Sequence, residues 1–467
     1  MTVSKLNSFF RLLKQAVKGD EQDYTSLGID KAIFLLSVPM ILEMLMESLF
    51  AVVDVYFVSQ LNDNDAVATI GLTESVLMLV YSIAMGLSIG ATAMVARRVG
   101  EKDIQSAKVA AVQSIYIGIG LSLLVSFIGV FFSEEILRLM GGSEKLIENN
   151  AGYTRWMFTG NITIMLLFLI NAIFRGAGNA SLAMRSLLIA NGLNMILDPI
   201  FIFGFGPIPE MGVEGAAIAT NIGRGIGVLY QLHHLVYGKG LIKVDRKNLQ
   251  LRWDIIVRLL KVSAGGTGQF LIASASWVFL VRIMSTFGSA AVAGYTIAIR
   301  LIVFAILPAW GMANASATLV GQNLGAGYPD RAEKSVWRAA FLNMIFLALV
   351  TVIFLVFAKP LLSFFTDDEK VLRNGIQCLQ IVSLGYVFYA YGMVVSQSFN
   401  GAGDTRTPTI INFVGFWLFQ IPLAYLLALH LNVGTPGVYA AISITESAIA
   451  VAGIVIFRQG KWKNVKI

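Results

Sequence analysis

An all-α integral membrane protein, with twelve transmembrane helices in two six-helix lobes, is the fold class this sequence predicts. Three observations carry that reading. Apolar runs of about 20 residues, enough to cross a bilayer, recur along a chain that is 56% hydrophobic and only 13% charged. A soluble domain averages about a quarter charged residues. Lysine and arginine collect in alternate loops, and the chain aligns with itself at a shift of 225 residues.

Taken in order, residues 1–31 read as a polar tail of mixed charge, with an amphipathic surface helix around Leu6 to Val17. No signal-peptide pattern precedes the first span. Apolar periodicity places spans at 32–58, 67–96, 108–131, 152–175, 182–205 and 212–237, which form the N-terminal lobe. The polar stretch 238–256, GKGLIKVDRKNLQLRWDII, is the longest link and divides the chain nearly in half. Spans at 257–285, 290–321, 335–357, 376–400, 407–430 and 436–457 form the C-terminal lobe, and residues 458–467 are a short tail. The two tails and the loops after even-numbered spans hold 26 of the 35 basic residues; the opposite loops hold five, and four fall inside helices. Basic residues mark the cytoplasmic side of a membrane protein. The expected location is therefore the inner (plasma) membrane, with both termini cytoplasmic.

The net charge of +7 follows this asymmetry and does not call for nucleic acid. The single cysteine, Cys378, excludes an intrachain disulfide. With three histidines in all, no zinc cluster can be composed. No GxxxxGK[ST] stretch occurs, so the chain holds no ATP-binding loop. Any pumping draws on an ion gradient or on partners. No cofactor and no obligate protein partner is indicated, and membrane lipids are the surroundings.

The internal repeat is specific. At the 225-residue shift GLSIGATAMVARRVG, 86–100, falls on GMANASATLVGQNLG, 311–325. Gly176-Ala177-Gly178 falls on Gly401-Ala402-Gly403, and after a three-residue adjustment Gly212 and Gly215 fall on Gly434 and Gly437. Six helices per repeat, an even number, give both halves the same orientation. The lobes are then related by a pseudo-two-fold axis along the membrane normal and face each other across a central cavity.

The first span is apolar, yet it carries Glu43, Glu47 and Asp54. At about 100° per residue these share one face. Isolated carboxylates in hydrocarbon cost several kcal/mol or take up a proton, so this face looks inward. Pro39, one turn below, denies a hydrogen bond to the Leu35 carbonyl and permits a bend. Inward titratable groups on a bendable helix suit an ion-coupled transporter; fixed partners in a packed bundle would satisfy them equally.

Several strings resemble multidrug and toxic compound extrusion (MATE) transporters: VVDVYFVSQL at 52–61, FRGAGN at 174–179, LNMILDPIFIFGFG at 193–206, GVEGAAIAT at 212–220 and FNGAGD at 399–404. The resemblance spans about 30–460. It implies export of bulky, amphipathic or cationic small molecules in exchange for Na+ or H+, by alternating access. It further implies the branch with a cation site in the N-terminal lobe, made by Asp54, Asn194, Asp198 and Thr220. Asn194 and Asp198 stand four residues apart on one helical face. Helical rise puts Asp54, Asp198 and Thr220 at depths of roughly 8, 10 and 12 Å. Their oxygens suit a sodium ion, and the two carboxylates could instead share a proton.

Glu47 departs from that branch, in which a neutral polar residue is usual. Its depth, roughly 18 Å, matches that of Arg224, which leaves a buried Glu47–Arg224 pair and a cavity carboxylate for cationic substrates both open. Glu43 and Asn171 are further candidates for the substrate cavity. Glu74 and Glu446 read as structural. Two other functions remain on this scaffold. One is a flippase for lipid-linked or polysaccharide precursors, which needs a basic cavity. The other is an intramembrane enzyme, which lacks a paired nucleophile and base here.

Overall fold

The computed structural model describes residues 3–19, 22–61 and 64–467. Among them the secondary structure is helical. An N-terminal helix, α1 (Val3–Lys18), precedes α2 (Ile29–Ser59), α3 (Asn64–Gly100), α4 (Ile104–Phe131) and the short α5 (Ser133–Leu139). Then come α6 (Glu144–Thr159), α7 (Asn161–Gly176), α8 (Ala180–Phe203) and α9 (Gly212–Tyr237). The second half holds α10 (Trp253–Ser285), α11 (Ser289–Gly325), α12 (Pro329–Ser363), α13 (Glu369–Ser383) and α14 (Tyr386–Ala402). It ends with α15 (Arg406–Asn412), α16 (Ile421–Tyr425) and α17 (Thr435–Arg458), with π-helical turns at Phe413–Gln420 and Leu426–His430 on either side of α16. Ten helical stretches among the described residues are long and apolar enough to cross a membrane, and α13 with α14, bent by 60°, make an eleventh. α9 has a span's length, 26 residues, but its glycines, histidines and Arg224 dilute its apolarity. α2 runs unbroken through Pro39.

The repeat predicted from sequence is visible in local structure. The N-cap of α6 is Ser143 and that of α13 is Asp368, each accepting amide hydrogen bonds from the first turn. Gly178 and Gly403 both have left-handed backbones, φ +86° and +87°, which glycine adopts without steric cost. One residue on, Asn179 accepts from the Leu182 amide and Asp404 from the Thr407 amide. A Cβ on Gly176 would stand 2.9 Å from the Thr92 carbonyl oxygen, and one on Gly401 2.2 Å from that of Ala317. The same backbone crossing is therefore built twice.

The chain forms two compact units, one of residues 1–22 and 42–267, the other of 23–41 and 268–467. These limits differ from the lobes 32–237 and 257–457 laid out from the sequence. The division falls inside α2 and α10, and glycines explain why. Within the first unit, α3 meets the start of α10 backbone to backbone: a Cβ on Gly86 would lie 2.4 Å from the Thr267 nitrogen. Within the second, α11 meets the start of α2, where a Cβ on Gly311 would lie 2.8 Å from the Ile41 nitrogen. Small residues allow such close helix packing where lipid offers no hydrophobic drive. Each unit thus includes the beginning of the other half's first long helix.

Candidate functional site

The polar centre of the first unit begins with the packing of α8 on α9. Gly215, Gly223 and Gly227 line one side of α9, and a Cβ on Gly223 would come within 2.6 Å of the Ala190 carbonyl oxygen. That approach puts Thr220 beside the Asn194–Asp198 face of α8. The Asn194 Nδ2 donates to Asp198 Oδ1 at 3.0 Å and to Thr220 Oγ1 at 3.1 Å. All three residues are buried. Asn194 Oδ1 and Asp198 Oδ2 have no hydrogen-bond partner. Buried acceptors are rarely left unmet, at a cost of about 1–3 kcal/mol each. Two bare oxygens beside a hydroxyl are a donor set that fits a small cation or a bound proton. Asp54, half-buried on α2, lies within electrostatic reach of Asp198 and Arg224. It makes no hydrogen bond to the other three. The structure therefore joins Asn194, Asp198 and Thr220 directly and sets Asp54 alongside.

A second cluster surrounds Glu47. Its Oε2 accepts from Asn191 Nδ2 at 3.1 Å, and its Oε1 stands 3.9 Å from Arg224 Nη2. Arg224 is buried, donates to the Tyr81 hydroxyl at 3.0 Å and lies over the Phe50 ring. The glutamate keeps a quarter of its side chain exposed, 25%. Arg224 thus has several partners, and its contact with Glu47, 3.9 Å, is longer than its hydrogen bond to Tyr81, 3.0 Å.

Glu43 and Asn171 are packed inside. Glu43 Oε1 accepts from Arg175 Nη1 at 2.7 Å and from Asn171 Nδ2 at 3.1 Å. Asn171 Oδ1 in turn accepts from Gln231 Nε2 at 2.6 Å and from Ser186 Oγ at 2.9 Å. The five residues are buried, tying α2, α7, α8 and α9 together. Neither Glu43 nor Asn171 faces open space. In the sequence Arg175 counts as a charge at the cytoplasmic loop; its place four residues after Asn171, on the same face, was the signal for an inward role. Asn191, three residues before Asn194, carried the same kind of signal.

Comparison with known proteins defines the class: this is a transporter, not an enzyme. It belongs to the MatE family, whose model matches residues 39–200 and again 267–426. Over 437 residues it is 25% identical to the probable multidrug resistance protein NorM of Thermotoga maritima, covering 93% of this chain and 94% of that protein. It is 25% identical over 445 residues to the multidrug export protein MepA of Staphylococcus aureus, covering 94% and 96%. An outward-facing structure of a multidrug resistance MATE family transporter superposes with a TM-score of 0.88 at 26% identity, covering 94% of this chain and 98% of that one. A MATE crystal structure in the straight conformation gives 0.87 at 27%, covering 95% and 97%.

Proposed function

We propose that this protein is a cation-coupled antiporter of the plasma membrane that exports amphipathic, often cationic compounds by alternating access. The observation that carries the reading is the Asn194–Asp198–Thr220 cluster, with two buried oxygens left without partners and the Asp54 carboxylate nearby. A coupling ion, Na+ or H+, meets those oxygens and offsets the cost of burying them. Its binding then differs between states in which the cluster is closed or open, which is what ties ion movement to substrate movement. The names of the related proteins, multidrug resistance and multidrug export, support the substrate class. The flippase reading needs a basic cavity. Of Arg155, Arg224, Arg282 and Arg300 only Arg224 is buried, and it is already engaged. Purified protein in proteoliposomes, loaded with a fluorescent cation, tests the proposal: efflux follows an imposed sodium or proton gradient, one applied at a time. Efflux indifferent to both gradients would overturn it.

A further inference from the structure

The N-terminal helix α1 takes no part in the coupling site. Its 16 residues hold four bases, Lys5, Arg11, Lys14 and Lys18, and no acid. Helical spacing sorts them. Phe10, Leu13 and Val17 follow one another at i, i+3 and i+7; Arg11, Lys14 and Lys18 do the same one residue on, about 100° round the helix. Only eight of the 16 residues are apolar, too few for a bilayer crossing, which takes about 20. We propose that α1 lies in the membrane surface and binds anionic phospholipid, with Phe9, Phe10 and Val17 among the acyl chains and Arg11, Lys14 and Lys18 on the headgroup phosphates. The inference does not depend on ion coupling at Asp198.

Three features converge. First, α1 is fastened at the level of the membrane surface. Ser181 Oγ donates to the Ala16 carbonyl and Arg185 Nη2 to that of Lys18. Both donors belong to the opening turns of α8, a membrane span. Gly19 closes α1 with a left-handed φ of +72°, and its amide donates to the Gln15 carbonyl. A Cβ on Gly19 would lie 2.4 Å from Ser181 Cβ, so glycine is required both for the turn and for the contact. Second, docking covers only part of the apolar face. Ala16 is 2% exposed, and Leu12 and Leu13 are half-buried. Phe9, Phe10 and Val17 remain 43%, 57% and 38% exposed. Third, Arg11, Lys14 and Lys18 are exposed along the edge of that face, the arrangement of helices that lie in the interface. The acids of the tail begin only beyond the helix, at Asp20. The distribution of basic residues assigns this side to the cytoplasmic leaflet, which carries the anionic lipids. Each Lys or Arg near such a surface favours binding by about fivefold. An acidic groove on another protein would match the same charges. The anchorage to α8, however, holds the exposed rings at the bilayer boundary, where lipid is already present.

The test places a nitroxide spin label on the full-length protein. Cys378, the single native cysteine, is buried; it is changed to alanine, and Phe10→Cys or Asn7→Cys then supplies one labelling site at a time. The protein is reconstituted in nanodiscs of phosphatidylcholine, alone or with about 30% phosphatidylglycerol. Collision of the label with oxygen, which dissolves in lipid, is compared with collision with a water-soluble nickel chelate. In the anionic discs the label at position 10 should favour oxygen several-fold over the label at position 7, which lies on the polar face. In the neutral discs that preference should fall several-fold. Arg11→Gln, Lys14→Gln and Lys18→Gln together should bring the anionic discs to the neutral level. Thermal melting confirms that each variant is folded; if the triple variant does not fold, the contrast between the two lipid compositions decides. A label at position 10 that meets water in the anionic discs overturns the proposal. A label shielded from both reagents also overturns it, because protein then covers the face. Equal immersion in the two lipids, or full immersion of the folded triple variant, overturns it too.

Discussion

Arg175 Nη1 lies 2.7 Å from Glu43 Oε1, and both side chains are almost wholly buried, at 9% and 1% exposure. This ion pair holds the end of α7 to the middle of α2. Buried pairs are costly to halve, because the surviving charge loses its compensation. Glu43→Gln is expected to destabilise the protein by about 3–5 kcal/mol, read as a lowered melting temperature in detergent. Adding Arg175→Met should recover most of that loss. Equal additive losses from the two changes would show that the pair is not coupled.

Asp198→Asn is expected to abolish gradient-driven efflux while leaving expression and melting near wild type. The change keeps the shape of the side chain and removes the carboxylate that holds one of the unpartnered oxygens. Asp54→Asn should do the same through charge. Asn194→Ala and Thr220→Ala each remove one neutral ligand and should weaken ion affinity by about tenfold. Proteoliposome efflux, with ion-dependent thermal shift alongside, reads all four. Full gradient-driven efflux by both aspartate variants would reject the site.

Glu47→Gln should remain folded, since an amide oxygen still accepts from Asn191 and Arg224 keeps Tyr81. It should lose cationic substrates selectively, because the charge in a partly desolvated site is what favours them. Transport of a neutral and a cationic substrate, compared in the same vesicles, checks this. Equal loss of both in a stable protein would exclude the selectivity role.

Gly223→Ala tests whether packing builds the ion site. The added Cβ would meet the Ala190 carbonyl at 2.6 Å and Asn194 Cβ at 3.2 Å. Backbone cannot swing aside as a side chain does, so α8 and α9 must separate. The Thr220–Asn194 hydrogen bond, 3.1 Å, should stretch with them. The expected loss of ion affinity is of the same order as for Thr220→Ala, about tenfold. Unchanged ion-dependent stabilisation would show that the site tolerates the wider spacing.

Much of this protein is local in origin, and the sequence by itself determined that part. Span length follows from apolar runs, the duplicated turns from Gly178 and Gly403, and the Asn194–Asp198 pairing from the helical repeat. Each depends only on residues near one another along the chain. The tertiary structure alone decided the partners across helices. Arg175 reads as a loop charge until α7 is set against α2. The grouping of 23–41 with the second half, and of 253–267 with the first, likewise depends on where Gly86 and Gly311 let backbones touch. The physical reason is common to both. A side chain's environment is the sum of what several helices bring to it, and their crossing points depend on close packing that no single stretch of sequence contains.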